Sequence, residues 1–65
     1  HMTIMYYVNS QRIELAKTLL ANEKFSILEI AFQIGYNDAN YFSNIFKKHV
    51  GISPSRYRKR LKSKE

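Results

Sequence analysis

Sixty-five residues, 45% of them apolar, suffice for one small core but not for a deep substrate cavity. The absence of cysteine excludes a disulfide framework and a thiolate metal site and suits a reducing cytoplasm, and apolar runs of only a few residues exclude a bilayer-spanning helix. Of eleven basic residues, Lys47, Lys48, Arg56, Arg58, Lys59, Arg60, Lys62 and Lys64 lie in the last third, opposed there by Glu65 alone. This distribution of a net +6 favours a polyanionic partner, nucleic acid or an acidic membrane surface, and a solvated basic tail kept for solubility is the alternative that charge alone leaves open.

In chain order, His1-Met2 reads as a cloning remnant, which implies an expressed fragment of a longer protein. A first helix is predicted from about Ile4 to Asn22, within a connecting unit of residues 3–24. Ile13, Ala16 and Leu20, with Leu15 and Leu19 beside them, recur at three- and four-residue intervals and so share a face. Asn22 tolerates the backbone of a helix end. Ser26-Ile27-Leu28-Glu29 has the capping-box spacing, so a second helix starts at Ile27 and runs to about Ile34, with Ile27, Ile30, Ala31 and Ile34 inward. Gly35 then supplies the left-handed residue that ends it. Asp38 caps a third helix, Ala39 to about His49, whose buried stripe is Phe42, Ile45, Phe46 and Val50. Gly51 stops it. Ser53-Pro54 repeats the start signal for a last helix to about Leu61, which offers Tyr57 and Leu61 to the core, while residues 62–65 form a frayed basic tail. The fold class is all-α, a small bundle of about four helices.

Ile27–Lys48 has the spacing of a helix-turn-helix, within a subdomain of residues 25–61. Ala31 is small where two helices cross, Gly35 allows the sharp turn, and Phe42 with Phe46 anchor the second helix. That leaves Ala39, Asn40, Ser43, Asn44 and Lys47 outward, the small, polar and basic character of a helix laid in a major groove. An ordinary solvated helix surface has the same polarity, so polarity alone does not separate the two.

The residues Gly35-Tyr36-x-Asp38-x-Asn40-Tyr41-Phe42-Ser43-x-x-Phe46-Lys47-Lys48, then Gly51-x-Ser53-Pro54-x-x-Tyr57-Arg58, resemble the signature of AraC/XylS transcription regulators. Arg12-Ile13-x-x-Ala16-x-x-Leu19-Leu20 and Ile27-x-Glu29-Ile30-Ala31 fit as well, so the likeness covers about residues 6 to 60. It implies a homeodomain-like helix-turn-helix preceded by a long linker helix: the second of the family's two subdomains, each of which reads one major groove. On this resemblance, the first subdomain and an effector or receiver domain are expected in a longer parent protein. By position the resemblance assigns Ala39, Asn40, Ser43 and Asn44 to base edges, and double-stranded DNA is the implied partner. Asparagine can pair bidentately with adenine, and the Ala39 methyl can meet a thymine methyl. Where many relatives carry Arg or Gln, Asn44 implies a weaker or different base preference. Lys47, Lys48, Arg56 and Arg58 are candidates for phosphate contact, as are the amides beside Ser26 at a helix N-terminus. Arg58 has a competing use as a brace of the fold.

Other classes fit less well. His49 lacks Cys or carboxylate partners for a metal, no catalytic triad is assembled, and no enzyme activity, metal or cofactor is expected. Five tyrosines invite base stacking, but their spacing fits helix packing better. The second reading is a protein-interaction bundle, contacting RNA polymerase or self-associating through Ile4, Met5, Tyr7 and Val8. The apolar face of the last helix, Tyr57 and Leu61, is too thin for strong membrane insertion.

Overall fold

The computed structural model describes residues 3–63; the dipeptide read as a cloning remnant and the last two residues of the expected tail lie outside them. Four helices follow in order: α1 (Ile4–Leu20), α2 (Ile27–Gln33), α3 (Ala39–Val50) and α4 (Pro54–Ser63). Each has a side-chain oxygen at its start. The Thr3 hydroxyl accepts from the Tyr6 amide, Asp38 Oδ1 from the Asn40 amide at 2.8 Å, and the Ser53 hydroxyl from the Arg56 amide at 3.2 Å. At α2 the reciprocal pair is complete: the Glu29 amide donates to Ser26 Oγ at 3.0 Å, and the Ser26 amide to Glu29 Oε1 at 2.8 Å.

The two glycines end helices as expected. Gly35 (φ 106°) follows α2, and the Tyr36 amide donates back to the Ala31 carbonyl while the Gly35 amide donates to Phe32. This pair of bonds closes the last turn around a left-handed residue. Gly51 (φ 101°) closes α3 with its amide on the Lys47 carbonyl.

The ends of α2 and α3 fall within one residue of expectation, and two boundaries differ by two residues. The first helix stops at Leu20 rather than Asn22, because its last turn tightens: the Ala21 and Asn22 amides reach carbonyls only three residues back. Asn22 takes no left-handed backbone; its Oδ1 accepts from the Lys24 amide, turning the chain by a side-chain bond instead. The last helix runs two residues past Leu61. Lys62, expected to fray, pairs with Glu23 at 3.1 Å.

The core lies between the helices: Ile13, Ala16 and Leu20 from α1, Ile30 and Ala31 from α2 with Ile34 and Tyr36 after it, and Phe42 and Phe46 from α3. Ile27, Ala39, Ile45, Val50 and Tyr57 pack partly buried around it. Aromatic rings carry it across the bundle, from Tyr36 to Phe42 (5.6 Å), Phe46 (5.9 Å) and Tyr57 (5.5 Å). Leu15 and Leu61 belong to it less than their spacing implied. Leu15 is exposed, and Leu61 lines an open cleft with Leu20 and Arg58. Asn9 is the buried polar side chain, satisfied by the Tyr36 hydroxyl.

Candidate nucleic-acid interface

The geometry of α3 follows from its anchors. Phe42 and Phe46 have no exposed surface, and residues four apart share a face, so the opposite side of the helix must look outward. That side carries Asn40, Asn44, Lys47, Lys48 and Tyr41, all exposed. Ala39 and Ser43 lie on the edge of this face, half-buried, and Ala39 also touches the core. The four residues assigned to base edges thus split into an outward pair, Asn40 and Asn44, and an edge pair nearer the body of the domain. Tyr41 joins the outward face with its ring edge-on to Tyr36 at 5.7 Å. Helical spacing from Phe42 would have placed it there.

The basic residues sort by what their charges already touch. Lys47 and Arg56 line one open cleft of about 310 Å³ with Gly51, Ile52 and Ser53, where α3 ends and α4 begins. This brings the outward face of α3 and the first turn of α4 onto one continuous basic surface. Lys48 is exposed on the same helix. Arg58 is committed elsewhere: its Nε donates to the Leu20 carbonyl (3.0 Å) and its Nη2 to those of Asn22 (3.2 Å) and Phe25 (2.7 Å). Of the two uses left open for Arg58, the structure shows the brace. Ser26 spends its hydroxyl and amide on Glu29, whose carboxylate already brings a negative charge to the start of α2.

Besides the Asn9–Tyr36 bond and the Lys62–Glu23 pair, a contact of Arg12 escaped sequence reasoning. Arg12, on α1 outside the apolar stripe, lies over the Tyr36 ring at 5.1 Å and reaches the Gly35 carbonyl at 3.5 Å. Burial raises the Tyr36 pKa above its usual value, against the lowering influence of that guanidinium. Among the described residues no cluster of His, Cys, Asp or Glu suits a metal ion, and no helix is long and apolar enough to cross a membrane.

A family model described as a helix-turn-helix domain matches residues 1–60. The transcriptional activator RhaR of Mannheimia succiniciproducens is 43% identical over 61 residues, covering 94% of this chain and 22% of that protein. YdiP, an HTH-type regulator of Escherichia coli, is 40% identical over 57 residues, covering 88% and 19%. The Msm operon regulatory protein of Streptococcus mutans is 36% identical over 63 residues, covering 97% and 23%. The chain therefore spans about a fifth of the length of these relatives, whose names are those of regulators and not of enzymes. No solved structure gives a significant match. The match to the family model and these identities show that the chain belongs to the AraC/XylS family of helix-turn-helix domains.

Proposed function

We propose that this chain reads duplex DNA by sequence, with α3 in the major groove, as part of a longer bacterial transcription regulator. The observation that carries this is the outward face of α3, where Asn40 and Asn44 lead into Lys47 and Lys48, held by two fully buried phenylalanines and continued by Arg56 across a shared cleft. Asn40 and Asn44 are the central readers, and Ser43 and Ala39 meet bases from the inner edge. Lys47, Lys48 and Arg56, at the end of α3 and the start of α4, hold phosphates and carry no sequence information. Arg58 and Ser26 contribute less to the phosphate set, because Nε and Nη2 of Arg58 and the hydroxyl and amide of Ser26 are engaged within the fold. The role belongs to the bacterial cytoplasm, and the remaining length of the relatives accommodates a first helix-turn-helix and an effector or receiver domain.

The test is selection of bound duplexes from a random pool, with affinity then measured against salt. A recurring sequence together with a steep salt dependence is the expected result. Binding that falls with salt but never prefers one duplex would overturn the reading.

A second reading has its own observation. Ile4 (82% exposed), Met5 and Tyr7 stand apolar and open at the start of α1, a face suited to a second copy, to a preceding subdomain or to RNA polymerase. Self-association is expected on concentration in sedimentation. A strict monomer at high concentration would remove it.

A further inference from the structure

We infer that Arg12 and Asn9 of α1 are positioning residues for the reading helix: they grip the α2–α3 turn at Gly35 and Tyr36 and so set the pose in which α3 meets DNA. This rests on the DNA-reading role proposed above and assigns part of that role to residues that touch no base.

Asn9 and Arg12 are three apart on α1 and therefore neighbours on one face. Both converge on Tyr36. The Tyr36 hydroxyl donates to Asn9 Oδ1 at 2.7 Å in a buried bond, and the Arg12 guanidinium lies over the same ring. Tyr36 in turn meets Tyr41 at 5.7 Å and Phe42 at 5.6 Å, both in the first turn of α3, where Asn40 lies between Asp38 and Phe42. The path from α1 to the reading face is thus two contacts long. Arg12 also closes over Gly35, where an added Cβ would stand 3.2 Å from the guanidinium carbon and the arginine would have to give way, at a backbone φ of 106° that itself favours glycine. Among the described residues Arg12 has no carboxylate partner; its charge is directed at the carbonyl and the ring.

Apolar packing alone would hold these helices together, as the rest of the core does. A hydrogen bond and a planar cation over a ring add direction, and base readout depends on direction: a site must be held within about 0.5 Å and 10–20° to act.

The experiment compares the 65-residue chain with Arg12→Ala, Arg12→Lys and Tyr36→Phe, each against a selected and a scrambled duplex, with helix content and unfolding monitored by circular dichroism. The expected result is that all fold, that Arg12→Ala and Tyr36→Phe lose about tenfold or more of the preference for the selected duplex, and that binding to the scrambled duplex stays within about twofold. Arg12→Lys, which keeps the charge but not the planar fork, does not restore the preference. Equal losses on both duplexes, rescued by lysine, would make Arg12 a phosphate contact and overturn the inference. So would a preserved preference in Arg12→Ala. If Arg12→Ala fails to fold, Arg12→Gln is read by the same criteria. A wild-type chain without any preference ends the DNA-reading proposal and this one with it, whereas a wild-type preference that the variants retain ends this one alone.

Discussion

Three carbonyls, those of Leu20, Asn22 and Phe25, converge on the Arg58 guanidinium, and the first belongs to the last turn of α1, where no helical partner remains. One planar fork thereby closes a helix end and ties α4 to the α1–α2 turn. Lysine presents a single ammonium and cannot span all three. Arg58→Lys is expected to lose about 1.5–3 kcal/mol of stability, the range for hydrogen bonds to a charged group, measured by urea unfolding. An unchanged midpoint would show that the brace contributes nothing. On the outward face the same scale separates reading from holding. Asn44→Ala should reduce discrimination between bases by about 1–3 kcal/mol, while Lys47→Ala should weaken all duplexes alike and lower the salt slope by about one. Titrations of both variants against matched and mismatched duplexes check this, and two unaffected variants would place the reading face elsewhere.

Among the elements, α2 is the most constrained. It has seven residues, too few for a helix to persist in water unaided, and is held by the capping box at Ser26, the glycine closure at Gly35 and the burial of Ile30 and Ala31. Ala31 has no exposed surface and stands in the core cluster with residues of both α1 and α3. A leucine there would have to displace one of those neighbours. A chain of this size carries about 3–10 kcal/mol of total stability, and overpacking costs about 1–3 kcal/mol or more. Ala31→Leu is therefore expected to melt far below wild type or not to fold, as followed by circular dichroism. A wild-type melting temperature would contradict the close crossing. Helix α4 is the opposite case: Pro54 is its buried residue, Tyr57 is half-buried, and Arg58 supplies much of the remaining attachment.

At the scale of the molecule, the Asn9–Tyr36 bond joins residues 27 positions apart, and the burial of the Tyr36 hydroxyl makes part of the stability pH-dependent. Burial raises the Tyr36 pKa above 10.0 in the folded state, so the unfolded chain releases that proton first. The contribution is complete below the unfolded value and is lost as pH rises through the folded one. Wild type is expected to lose more stability between pH 9 and pH 11 than Tyr36→Phe does; parallel losses in urea unfolding at the two pH values would remove Tyr36 as the cause. Much of this architecture was legible in the residues. The caps at Ser26, Asp38 and Ser53, the stops at Gly35 and Gly51, and the stripe through Phe42 and Phe46 depend on neighbours within about four positions, an interval over which side-chain chemistry and helical period act directly. The DNA-facing assignments came from the likeness of the signature, and helical spacing marked Asn40 and Asn44 as outward. Only the tertiary structure decided that Asn9 is buried, that Arg12 clamps the turn, that Arg58 braces three carbonyls, that Leu15 stays in solvent and that α1 stops at Leu20. The first four outcomes depend on which distant backbone or ring comes to lie beside the residue, and a periodic pattern along one helix contains no information about that; the stop at Leu20 follows from the tightened last turn, which apolar spacing does not specify either.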